Sequence, residues 1–139
     1  DYLSFSNTTF NPNFLNNLFL VFLNKKQNTQ KSVQNFLKID GYFIDEINQI
    51  NDIVNGIQNV KDLTTFESLI EKHEKIIANI LKMPTIQNEK FPKYNYGVIK
   101  SLGSWGGDFV LATGNERNMD YFHEKGFNTV KKMSDLLYV

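Results

Sequence analysis

The chain has 139 residues, 41% of them hydrophobic and 14% aromatic, which suits one folded domain able to bury roughly two-thirds of its unfolded surface. Fifteen basic and fifteen acidic residues cancel, so charge gives no reason to expect a nucleic acid or an anionic membrane as partner. Cysteine is absent, which excludes disulfides and thiolate metal sites, and two scattered histidines, His73 and His123, make a poor metal signal; no metal site is expected. No apolar run reaches the ~18 residues that span a bilayer, and Asp1-Tyr2-Leu3-Ser4 has no basic n-region. A cytoplasmic location is therefore expected. The missing initiator Met reads as a fragment.

In chain order, Asn7 to Asn17 is polar with Pro12 and reads as a loop. Leu18 to Leu23 is a continuous apolar run of strand length, as in a strand buried on both faces. After the polar connector Asn24–Asn28, Thr29 can cap a helix running to about Ile39. Gly41 breaks it. Phe43, Ile47, Ile50, Val54 and Ile57 then recur at helical spacing. A third helix opens near Thr64 and Glu67, which have capping-box spacing, and Pro84 stops it. Tyr96 to Lys100 and Asp108 to Thr113 read as strands. Asn115 to Lys125 reads as a short helix ending at Gly126, and Phe127 to Val130 as a last strand. The order predicts an α+β fold, with helices packed on one face of an antiparallel sheet.

The sharpest feature is the run Lys100-Ser101-Leu102-Gly103-Ser104-Trp105-Gly106-Gly107-Asp108-Phe109. Glycine permits positive φ and close backbone approach to a ligand, and successive N–H groups can form an anion-binding nest. The alternative is a glycine-rich hairpin with Trp105 packed over it.

The run resembles the third, C-terminal glycine-rich motif of the GHMP kinases, the superfamily of galactokinase, homoserine kinase, mevalonate kinase and phosphomevalonate kinase. That motif reads roughly Lys-x-Ser/Thr-Gly-Ala-Gly-Gly-Gly and continues with Asp in the phosphomevalonate branch. Gly103, Ser104, Gly106, Gly107 and Asp108 fall on it. Trp105 stands where the family usually has glycine, and Leu102 where it has Ser or Thr. A Trp does not sit cheaply at positive φ, so either the loop differs in shape or Trp105 walls the substrate pocket. Leu18 to Thr29 resembles the first strand and loop of the family's C-terminal domain, and residues 63–83 its long helix. Phe10-Asn11-Pro12, Asn24 to Asn28 and the Ser-Trp-Gly-Gly-Asp-Phe run are similar to the GYDIA branch, GHMP kinase-like proteins of Bacteroidetes-type bacteria.

The resemblance implies residues 1–9 as the tail of an N-terminal domain and 10–139 as a ferredoxin-like C-terminal domain. It implies a kinase transferring the γ-phosphoryl of ATP, with Mg²⁺, to a small metabolite, mevalonate or phosphomevalonate being the leading guess. The family's Pro-x-x-x-Gly-Leu-Gly-Ser-Ser-Ala-like phosphate loop and its catalytic Asp belong to the N-terminal domain, and no match to that loop occurs here. This half alone is thus expected to bind neither ATP nor Mg²⁺ and to be inactive. Its expected partners are the N-terminal kinase half and a small-molecule substrate, or a second copy in a dimer. The implied ATP- or substrate-binding residues are Gly103, Ser104, Trp105, Gly106, Gly107 and Asp108.

Four more positions are candidate anion or substrate contacts. Lys25, Lys26 and Thr29 lie at a helix start, where an anion is favoured; the plainer reading is a solvated loop with a Thr cap. His73 lies on an apolar helical stripe and reads either as a half-buried structural histidine or, from the resemblance, as a neighbour of the substrate cleft. Asp108 contacts substrate, a loop N–H, or only its own turn. The contrasting functional class is a non-catalytic α+β ligand-binding or interaction domain.

Overall fold

The computed structural model describes residues 8–105 and 107–137. Most of the expected tail, residues 1–7, lies outside the described residues, as does Gly106. The fold is α+β, built on a four-stranded antiparallel sheet. Its strands are β1 (Leu18–Phe22), β2 (Ile99–Ser101), β3 (Phe109–Thr113) and β4 (Val130–Lys132), in spatial order β2-β3-β1-β4. The helices are α1 (Thr29–Phe36), α2 (Ile44–Asn59), α3 (Leu63–Leu81), α4 (Ile86–Lys90), α5 (Asp120–Glu124) and α6 (Met133–Leu136). Strand, helices, strand, strand, helix, strand is the β-α-β-β-α-β order expected of a ferredoxin-like domain.

β1 is central because its apolar run has no polar face to give to water. Leu18 pairs with Thr113, Leu20 with Leu111 and Val21 with Val110, while β4 pairs Val130 with Val21 on the other side. Alternation then sends Leu18 and Leu111 to one face, where they meet Phe66 and Ile70 of α3 together with Phe14 and Leu15. Phe19, Val21, Val110, Ala112 and Ile99 go to the other. The two long helices pair through Ile53, Ile76 and Ile80. The second sheet face is covered by the short α4 and α5 and the segment between α4 and β2. There Phe91, Tyr94 and Phe122 form an aromatic cluster with ring centroids 5.2–5.3 Å apart for Tyr94–Phe122 and Phe91–Phe122.

Helix boundaries differ from the sequence expectation in instructive ways. α1 is capped by Asn28, whose side chain accepts from Lys31 N at 3.0 Å, and Thr29 is its first residue. α3 is capped by Asp62, which accepts from Thr65 N at 2.8 Å, so the Thr64–Glu67 spacing forms no box. Those hydrogen bonds hold the exposed Asp62 carboxyl below its usual range. Glu67 instead takes a hydrogen bond from Thr113 Oγ1 on β3. α3 ends at Lys82, in the left-handed region at φ 52°, two residues before Pro84 can act.

β2 is an edge strand, yet its edge is not open. Ile99 N donates to Gln87 Oε1 at 2.8 Å, and Ser101 N donates to Glu74 Oε2 at 3.2 Å. Side chains from α4 and α3 thus satisfy the donors that an edge strand leaves exposed. Among the described residues no helix is long and apolar enough to cross a membrane.

Candidate functional site

Two segments far apart in sequence meet at one end of the sheet. The β1–β3 pairing runs on past the strand ends, with Leu23 N donating to Asp108 O at 2.7 Å and Asp108 N to Lys25 O at 2.8 Å. That extension carries the 24–28 connector alongside the glycine-rich loop. Gln27 then fastens the two together. Its backbone N donates to Asp108 Oδ1 at 3.1 Å, and its Nε2 lies 3.1 Å from Trp105 O and 3.4 Å from Ser104 O. The Thr29 and Ser104 hydroxyls are 3.4 Å apart.

The loop's backbone is unusual. Gly103, Trp105 and Asp108 have φ of 63°, 55° and 52°, and Asn24 on the facing connector has 56°. A glycine at the Trp105 position would take that conformation freely. A non-glycine residue there costs roughly 1–2 kcal/mol. The indole nevertheless adopts it, held by Gln27 on the carbonyl and by the Phe36 ring 6.2 Å away. Gly107 serves a different need, because its φ is not in the left-handed range. A Cβ there would lie 2.4 Å from Gln27 Cβ, so the glycine permits the close approach of the connector.

Beside the loop, α1 and the C-terminal end of α3 enclose a cleft of about 320 Å³, within the span of small-molecule sites. Phe36, Ile39, Leu81, Met83 and Trp105 form its apolar wall, and Gln27, Ser32, Asn35 and Ser104 supply amides and hydroxyls. No charged side chain lines it among the described residues. Behind Trp105 a water-sized cavity reaches the buried Glu74 and Ser101. Glu74, 5% exposed, accepts from Ser101 Oγ at 2.7 Å and from Ile86 N at 3.2 Å. Lys100 Nζ is 3.9 Å from it, and burial depresses the Lys100 ammonium pKa against the opposing pull of Glu74.

The expected site residues divide accordingly. Gly103, Ser104, Trp105, Gly107 and Asp108 gather with Thr29 and Lys25 at the junction, whereas Gly106 lies outside the described residues. Asp108 makes a loop N–H contact. Lys25 joins through its backbone carbonyl, its side chain being exposed, and Lys26 borders an open concavity at the start of α1. His73 lines neither the cleft nor the cavity behind Trp105. It is half-buried, with Nδ1 unpartnered among the described residues. Burial, then the nearby Lys100 charge, lower its pKa against the opposing influence of Glu74.

Gln27, Glu74 and Lys100 were not among the expected site residues. Glu74 carried a faint signal, standing one turn after Ile70 on the apolar stripe of α3. Gln27 carried none, since its role depends on residues some eighty positions away. Among the described residues, the cleft presents hydroxyls, amides and an aromatic wall. No family model, curated protein or solved structure matches the chain.

Proposed function

We propose that this chain is the C-terminal half of a GHMP-type small-molecule kinase and forms the metabolite side of its active site. The observation that carries the reading is the junction itself. The run resembling the family's third glycine motif meets the Lys25–Thr29 segment at the start of α1, through Gln27 and Asp108. The α+β fold and its strand order are in keeping with it. So is the exposed apolar belt of Leu37, Tyr42, Ile44 and Ile47, a surface the N-terminal half, or a second copy, could cover.

Phosphoryl transfer rests on positioning and on electrostatic stabilisation of the transferred group. The sequence has no match to the family's Pro-x-x-x-Gly-Leu-Gly-Ser-Ser-Ala-like phosphate loop. ATP and Mg²⁺ are therefore assigned to the N-terminal half, in a cytoplasmic enzyme. This chain's part is to orient a small hydroxylated or phosphorylated acceptor, of which mevalonate or phosphomevalonate is the leading guess, and to shield it from water.

A second reading has its own support. Trp105 replaces a family glycine, and Gly107 is occupied by Gln27, which fits a non-catalytic ligand-binding domain. Assaying ADP production by the full-length protein against a panel of hydroxylated and phosphorylated metabolites separates the two. Acceptor-dependent ADP, absent from the 139-residue chain alone, supports the kinase. Turnover by this chain alone, or none by the full-length protein despite metabolite binding, overturns it. A phosphate loop encoded upstream of Asp1 would point the same way as turnover.

A further inference from the structure

We infer that the cleft between α1 and the glycine-rich loop binds an uncharged, planar heterocycle with a hydrogen-bonding edge, of the class of a purine nucleoside. This goes beyond the kinase reading and holds whether or not phosphoryl transfer occurs.

Three observations carry it. The first is the wall: the Trp105 and Phe36 rings, with centroids 6.2 Å apart and planes tilted by 36°, line the cleft together with Ile39, Leu81 and Met83, an apolar surface on which a ring can pack. The second is the polar complement. Asn35 lines the cleft from an exposed position on α1, where its carboxamide can both donate to and accept from a ligand edge. Gln27 Nε2 is already committed to the Trp105 and Ser104 carbonyls; the Ser32 hydroxyl, 3.4 Å from that amide, and the Ser104 hydroxyl, 3.4 Å from Thr29 Oγ1, have capacity left for a ligand. No Lys or Arg lines the cleft among the described residues, which disfavours phosphate or carboxylate there. The third is the backbone at Trp105. A bulky residue held at φ 55° by two neighbours is a strained feature, and such strain persists where the surroundings over-determine it, often at ligand clamps.

Trp105 is the only tryptophan, so its emission reports directly on the cleft. Titrating adenosine into the chain, with excitation at the red edge of the indole band, should give a saturable emission change with Kd of about 0.1–1 mM. Inorganic phosphate should give none. In calorimetry, Trp105→Gly should weaken adenosine binding at least ~tenfold while folding is retained, because glycine takes positive φ without strain. Asn35→Leu, at an exposed helical position, should weaken it about three- to tenfold. Absence of saturation by ~10 mM adenosine, a threshold well above the expected Kd, overturns the inference. So does phosphate competing at the same site, or wild-type affinity in both variants. No ATP is consumed in the assay, so failure here and failure of the kinase reading are separate results.

Discussion

The glycine-rich loop and the aromatic face of the sheet are held in opposite ways. On the aromatic face, Phe91 and Phe122 are fully buried, and their stability comes from area removed from water, roughly 1.5–3 kcal/mol for each fully buried side chain. The loop has little apolar burial of its own. It is fixed by polar cross-links to Gln27 and by the close contact that Gly107 allows, and among its described residues Gly103, Trp105 and Asp108 have positive φ. Non-directional burial tolerates small shifts, whereas directional bonds on a strained backbone fix one geometry. The first is what a scaffold needs and the second what a ligand site needs.

Substitutions can break or sharpen this contrast. Phe91→Ala should be the most damaging, at about 3–5 kcal/mol, since it opens a cavity among Phe122, Phe127 and Tyr121. Urea unfolding would measure it, and a loss under ~1 kcal/mol, well below that range, would mean the face is loosely filled. Glu74→Ala comes next, at about 2–4 kcal/mol, because Ser101 N, Ile86 N and Lys100 all lose their partner. Glu74→Gln keeps the shape and an acceptor and should lose less. An equal loss in both variants would show that the charge, not the hydrogen bonding, matters.

Gly107→Ala should cost about 1–3 kcal/mol by forcing Gln27 away. It should also loosen Trp105, seen as a change in its emission. A melting temperature and emission equal to wild type would show that the connector yields freely and the loop is not clamped.

The smallest effect concerns His73. Its pKa is lowered in the folded state by burial and Lys100, so below the unfolded value of about 6.5 the unfolded chain binds more protons. Stability should therefore be full above that pH and fall as pH drops through the window beneath it. The imidazole is only half-buried, so the loss should not exceed a few degrees in Tm. His73→Gln should flatten the dependence between pH 7 and 5. An unchanged slope would assign it to the carboxylates instead.

Much of this protein follows from local pattern. The Leu18–Leu23 run implied a central strand because six consecutive apolar residues have no polar face, and the 3.6-residue recurrence in 43–57 and 66–81 marked the paired long helices. Gly126 follows α5 at φ 85°, as its position suggested. Caps were less legible, since Asn28 and Asp62 compete with nearby Thr residues of similar chemistry, and only the turn geometry selects between them. The short α4 and α6 have too few residues to show a period, so they went unread.

The candidate site was half legible. The glycine run announced a special loop and the 25–29 segment a helix start, both from residue type alone. What only the tertiary structure decided was that the antiparallel β1–β3 pairing lays one against the other, with Gln27 as the link. Tertiary packing likewise set Gly107 against Gln27, Trp105 at positive φ on the wall of a cleft, and Glu74 inward against the β2 edge. Each of these depends on contacts between residues at least 27 positions apart, which no local pattern encodes.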